Sequence, residues 1–348
     1  MARRPSKSES VFVRHELRPR FLFLLQPEFP MNAFILATET LRIANQNSGR
    51  RLFEWLLASE TGQPVRASNG MWIDVGHAIA TLPRADFVLL FEGNLPTQRN
   101  SQRLLAALRN ARRHGAFLIA IDTAAFALAQ AGLTDEEGTV LHWEAARAFA
   151  ERFPEIEIRN QIYRLGEGLG FAAGGVATLD LMLDIIAKLR GRALANEVAN
   201  ALVHSPRLAE APQRTDDSQG SDKPSLSRRI VSLMERNLDF PLTPAEIARR
   251  LGLSARSLER RCRLHFSQTP MKLYLRIRLQ AARNLLFYEE LDVKEISDAC
   301  GFSYPSVFTR AFTTQFGQTP RQFRASFRAS QREPVRPEIL RLSASGDR

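Results

Sequence analysis

EIARRLGLSARSLERRCRLHFSQTP (residues 246–270) and EISDACGFSYPSVFTRAFTTQFGQTP (residues 295–320) are two copies of one pattern. Each copy has a short apolar helix, a glycine, a serine and a second helix whose apolar residues recur every fourth position. In the first, Thr243 precedes Pro244 and stands three residues before Glu246, the signature of a capping box with proline at the first helical position. Ile247, Ala248 and Leu251 give that helix its apolar face, and Gly252 supplies a turn that needs positive φ. Ser254 then reads as the cap of a helix that turns Leu258, Cys262 and Phe266 inward and leaves Arg256, Glu259, Arg260 and Arg263 outside. The second copy places Ile296, Cys300, Phe308, Phe312 and Phe316 inside, Gly301 at the turn, Ser303 at the cap, and Tyr304, Ser306, Thr309 and Arg310 on the outer face. The offset between copies is 49 residues up to the cap and 50 beyond it, so the second carries one extra residue at the start of its outer helix. Between them, Met271 to Phe287 predicts one long amphipathic helix able to fix their separation.

A single helix-turn-helix pattern could equally be a hairpin in an all-helical interaction domain. Charge helps to decide. Residues 222–348 carry 23 Lys and Arg against 13 Asp and Glu, whereas residues 1–221 carry 25 against 24. Ten of the eleven excess positive charges thus lie beside the duplicated unit, where neutralising phosphates needs them. A monomer with two such units could set its outer helices in successive major grooves about 34 Å apart on one DNA face.

The segment from Leu226 to Phe327, with GFSYPSVFTRAFTTQFGQTPRQFR at 301–324, resembles the DNA-binding domain of AraC-type transcriptional regulators. The resemblance implies base contacts from the helices beginning at Ser254 and Ser303. Carried over by position, Arg256, Glu259 and Arg260 read one groove, and Tyr304, Ser306, Thr309 and Arg310 the next. Pro305 departs from the polar residue common there. Arginine to guanine is the commonest specific contact, whereas hydroxyls more often meet phosphate.

The remaining two thirds of the 348-residue chain is different in kind. FLFLL (21–25), FEWLLAS (53–59), DFVLLFEG (86–93) and AFLIAI (116–121) read as strands buried on both faces, and residues 32–47 and 101–114 show helical spacing. That alternation predicts an α/β sandwich. Residues 1–18 read as a mobile tail, 19–204 as the α/β domain, 205–224 as a polar linker, 225–328 as an all-α domain and 329–348 as a frayed end. No apolar run near the start is long enough for a signal peptide or a membrane span, so the cytoplasm is the expected location. Cys262 and Cys300 fall at apolar helix positions and read as buried thiols; no disulfide framework, metal-ligand spacing or cofactor motif is present.

Within the α/β part, AFLIAIDTAAFALAQAGL (116–133) runs from a buried strand through Asp122 and Thr123 into a helix. Such a corner holds one side chain at the mouth of a sheet, a geometry used for nucleophiles and for anion binding at a helix start. His142 and Trp143 follow twenty residues later, and Phe29, Asn32 and Glu92 end or follow neighbouring strands. Each has a plain alternative: His142 and Trp143 as packing, Asp122 as a helix cap. Together with ETLRIANQ (39–46), HWEAARAFAERFP (142–154) and AAGGVATLDLMLDII (172–186), the corner resembles PfpI-like domains of the class I glutamine-amidotransferase superfamily, which implies a flavodoxin-like sandwich and commonly a homodimer.

Enzymes of that superfamily carry a cysteine nucleophile at the corner, where this chain has Asp122. A carboxylate cannot replace a thiolate in thiol-based hydrolysis or aldehyde chemistry. The reading is therefore a pocket kept for binding, made of Asp122, Thr123, His142, Trp143, Phe29, Asn32 and Glu92, with an anionic side chain near aromatic rings suited to a cation. In ETLRIANQ and the Ile-Asp-Thr corner this chain resembles several regulators that join a PfpI-like domain to an AraC-type domain, and the resemblance implies a ligand among quaternary amines or amino acids such as glycine betaine, carnitine or arginine. The expected protein is a transcriptional regulator, an activator of a catabolic operon. Its expected partners are double-stranded DNA, a small effector, a second copy of the chain and RNA polymerase. The rivals are a hydrolase or glyoxalase-type enzyme tethered to DNA, and a purely structural dimerisation domain.

Overall fold

In the computed structural model, which describes residues 18–93, 100–213, 226–289 and 291–332, the four apolar runs form the centre of one sheet. The strands are β1 (Arg20–Leu25), β2 (Glu54–Ser59), a small antiparallel hairpin β3 (Val65–Arg66) and β4 (Trp72–Ile73), β5 (His77–Ala78), β6 (Phe87–Glu92), β7 (Phe117–Asp122), β8 (Tyr163–Leu165) and β9 (Leu169–Ala172). Among the described residues the main sheet runs β5-β2-β1-β6-β7-β9-β8, parallel except for β8 at the edge. Phe21 stacks on Phe87 with centroids 4.7 Å apart, and Phe23, Phe34 and Phe91 meet edge to face in the same core.

The helices of this domain are α1 (Met31–Ser48), α2 (Gln102–Arg113), α3 (Ala125–Gln130), α4 (Ala146–Arg152), α5 (Val176–Arg190) and α6 (Arg192–Ala201). The chain steps one way from β1 to β2 and the other way from β1 to β6 and β7. Right-handed crossovers therefore put α1 and α2 on opposite faces, as in a doubly wound, flavodoxin-like sandwich. The order reverses between β1 and β6, and the crevice at the carboxyl ends of those strands is where such sheets take ligands.

The α/β domain runs further than composition predicts. Residues 205–213 read as linker, yet they lie along the domain: the buried Asp180 accepts from Arg207 at 2.8 and 3.0 Å and sits 2.6 Å from His204 Nε2. Ile162 N–H donates to the Ala209 carbonyl at 3.1 Å, and Gln213 Nε2 donates to Leu141 and Gln161 at 3.0 Å. One buried carboxylate organises a segment whose own residues looked too polar to fold back. The rest of the expected linker, residues 214–224, and most of both expected tails fall outside the described residues.

The all-helical part contains α7 (Leu226–Glu235), α8 (Pro244–Leu251), α9 (Ala255–Phe266), α10 (Pro270–Tyr288), α11 (Val293–Ala299), α12 (Pro305–Phe316) and α13 (Pro320–Arg332). The expected capping box at Thr243 and Glu246 is present, Ser254 accepts from Ser257 N–H at 3.2 Å, and Gly252 has φ 69°. A second box, Asp292 with Glu295, opens α11. Ser303 is not the cap of α12. Tyr304 holds that place without a side-chain bond, because the extra residue of this copy moves the helix start to Pro305, whose missing N–H needs no partner. Gly301 is required twice over: it has φ 71°, and a Cβ there would lie 2.4 Å from the Leu238 carbonyl oxygen.

Two cores fill these helices. Ile230, Met234, Ile247, Leu258, Cys262 and Tyr274 form one around the first unit. Leu279, Leu285, Ile296, Cys300, Phe308 and Phe312 form the other, which is continuous with the α/β core. Helix α10 spans both, as its length predicts. No described helix is long and apolar enough to cross a membrane.

Candidate functional site

On the helical domain, the outer faces of α9 and α12 are presented much as their spacing predicts. Arg256, Glu259, Arg260, Tyr304, Ser306 and Arg310 are exposed, while Thr309 is only half-exposed. Glu259 accepts from Arg263 Nη2 at 3.0 Å across one turn, a pair open to solvent and therefore worth little to stability. Ser254 is engaged in its cap, whereas Ser303, relieved of that role, is exposed. Both cysteines are buried, and burial raises each thiol's pKa, that of Cys300 to about 12.

The α/β domain builds its corner at the switch of the sheet. β7 ends at Asp122 with φ 64°, a left-handed conformation that Asp tolerates better than most residues. Its parallel neighbour in register is Glu92, the fully buried last residue of β6. Thr123 Oγ1 donates to the Gly93 carbonyl at 2.5 Å, which ties the loop after β7 to that after β6. A Cβ at Gly93 would stand 1.8 Å from the Glu28 carbonyl oxygen, so the loops after β1 and β6 touch there. Glu28, itself at φ 65°, pairs with Arg66 Nη1 at 3.4 Å. On the far side, a Cβ at Gly174 would come 2.7 Å from Asp122 Oδ2, and one at Gly175 would come 3.6 Å from Asn32 Nδ2. Gly174 thus lets the backbone pack directly against the Asp122 carboxyl, and Gly175 stands beside Asn32, which is exposed.

Burial, assisted by the negative charge of Glu144, raises the Asp122 pKa to about 8. Burial also lowers that of His142, with Glu144 acting in the opposite sense. His142 Nδ1 accepts from the Glu144 N–H at 3.4 Å, and its ring lies 5.8 Å from that of Trp143, which is 37% exposed. A turn carries the chain from His142 to the start of α4 at Ala146.

Three expectations change. Phe29 is wholly buried, edge to face with Phe34 at 5.6 Å, and belongs to the core instead of the pocket wall. Asp122 is not a helix cap, since α3 has Ala124 there without a side-chain bond. With only six residues, α3 has little dipole to offer an anion, so the corner is acidic in character. Sequence reading missed Glu144, Gly93 and the Gly174–Gly175 pair. The adjacent glycines in AAGGVATLD were the available signal. An open depression of about 880 Å³ at the other end of the sheet is lined by residues such as Arg84, Arg112, His114 and Gly168, away from these groups.

A helix-turn-helix domain family matches residues 247–326. The HTH-type transcriptional regulator CdhR of Pseudomonas aeruginosa is 37% identical over 311 residues, covering 88% of this chain and 91% of its own. GlxA of Rhizobium meliloti, likewise an HTH-type transcriptional regulator, is 34% identical over 310 residues, covering 88% and 95%. Among solved structures, an AraC family transcriptional regulator from Pseudomonas putida has 27% identity and a TM-score of 0.48, over 53% of this chain and 99% of that one.

Proposed function

Because this chain belongs to the AraC-type helix-turn-helix transcriptional regulators with a PfpI-like amino-terminal domain, we propose that the Asp122 corner is its effector site and that a small cationic amine is the ligand. The observation that carries the reading is the placement of the half-buried Asp122 carboxyl at the end of β7, in register with the buried Glu92 at the switch of the sheet, where burial and the charge of Glu144 oppose its ionisation. An ammonium group seated there turns two repelling carboxylates into two partners, and Trp143, next to Glu144 in the chain and 37% exposed, offers a ring face to a quaternary ammonium. The choice of amines rests on the sequence resemblance.

Calorimetry of the full chain with glycine betaine, carnitine and arginine tests it. Binding by one of them, lost in Asp122→Asn, is the expected result; no binding to the folded protein by any would sink the reading. Catalysis is the competing account. It lacks a thiol at the corner, since Cys262 and Cys300 are buried in the helical domain. Turnover of glyoxal, amides or peptides, abolished by Asp122→Asn, would favour it.

On the DNA side we infer that Arg256 and Arg260 of α9 and Arg310 of α12 supply base contacts, with Tyr304, Ser306 and Ser303 directed to phosphates. We propose further that the protein acts as a homodimer through its α/β domain and, as an activator, engages RNA polymerase.

A further inference from the structure

The α/β domain grips the second helix-turn-helix unit at one helix end. Arg147, in the first turn of α4, donates from Nη2 to the carbonyl of Ala299, the last residue of α11. Its Nε is held by Glu151 one turn later, at 3.0 Å. From within the helical domain, Arg278 donates to the next two carbonyls, Cys300 at 2.7 Å and Gly301 at 2.6 Å, with its guanidinium 4.1 Å from the centre of the Phe302 ring. Three successive carbonyls at the negative end of α11 are thus taken by two arginines, one from each domain. The first unit has no counterpart among the described bonds, and its core is separate.

The residues leading to Arg147 come straight from the effector corner. His142, Trp143 and Glu144 pass into α4 through a continuous hydrogen-bonded turn: Ala145 N–H to the His142 carbonyl at 2.9 Å, Ala146 to Trp143 at 3.4 Å, Phe149 to Ala145 at 2.9 Å. A shift of the His142–Trp143 wall therefore carries the first turn of α4 with it. We propose that Arg147 is a latch through which occupancy of the Asp122 corner reaches the second helix-turn-helix unit by direct contact, leaving the first unit outside the coupling. This rests on the reading of that corner as the effector site. Residues 214–224 between the domains then need not carry the signal.

Hydrogen exchange on the intact chain tests the latch without any amine, so its outcome is independent of the calorimetric test of the corner. In Arg147→Ala, exchange at residues 293–304 should rise about 5-fold or more while residues 244–266 stay unchanged. Coupling is reciprocal, so a duplex selected from a random-sequence pool by the full-length protein should alter exchange at residues 142–152 in the original protein and not in the variant. Arg147→Lys, which keeps the charge and loses the planar fork, should fall between the two. Unchanged exchange at 293–304 in both variants, or a duplex response at 142–152 that survives Arg147→Ala, would overturn the proposal.

Discussion

The two helix-turn-helix units share a scaffold and differ in both composition and surroundings. Helix α9 of the first carries four arginines and packs on a core of its own. Helix α12 of the second carries one, and Phe308, Phe312 and Phe316 anchor it in a core that runs on into the α/β domain. Duplication has produced division of labour. The arginine-rich unit packs on a separate core and meets its neighbour through α10 and the contact of Gly301 with Leu238, whereas the phenylalanine-rich unit is held from the α/β domain as well, by Arg147.

The largest effect expected from this contrast is on stability. Phe308→Ala should cost about 3–5 kcal/mol and loosen the α/β domain along with the second unit, because their cores are continuous. Leu258→Ala should cost about 2–5 kcal/mol and stay confined to the first unit. Region-resolved exchange during denaturant titration distinguishes them, and a response of equal extent in both would break the comparison.

Next in size is a pH effect at the corner. With the Asp122 pKa near 8, amine affinity should improve up to about tenfold per pH unit from pH 6 toward pH 8 and then level off. The same shift means that the folded state binds more protons than the unfolded one between about pH 4 and pH 8. Its contribution to stability is full below that window and lost across it, and Asp122→Asn should flatten the melting temperature there. A smaller loss, about 1–3 kcal/mol each, is expected for Arg260→Ala and Arg310→Ala in duplex binding at fixed salt. Unchanged affinity would remove them from the base-reading set. Smallest is Thr243→Ala, about 1 kcal/mol from the capping box of α8, seen as earlier melting of the first unit alone.

Much of this was legible in the sequence, for local reasons. Apolar runs gave the four central strands, and period-four spacing gave the inward faces of α9 and α12. The Asp-Thr corner announced itself because strand, turn and helix are consecutive. What escaped depends on which distant loops converge. Nothing near Glu144 shows that its charge acts on Asp122, and nothing in a polar stretch shows that Asp180 will clasp Arg207. Ser303 misled for a finer reason: one inserted residue moved the helix start past a residue of the right chemistry. Arg147 looked like an ordinary partner of Glu151 until the fold brought Ala299 beside it.

Control of the DNA reader by a ligand at the Asp122 corner is the proposal on which the others depend. Its most direct test is the affinity of the intact protein for its selected duplex, at fixed salt and pH 8, with and without a saturating amine. A change of about 5- to 150-fold is expected in the original protein and none in Asp122→Asn. The same response in both proteins, or none to glycine betaine, carnitine or arginine, would contradict it.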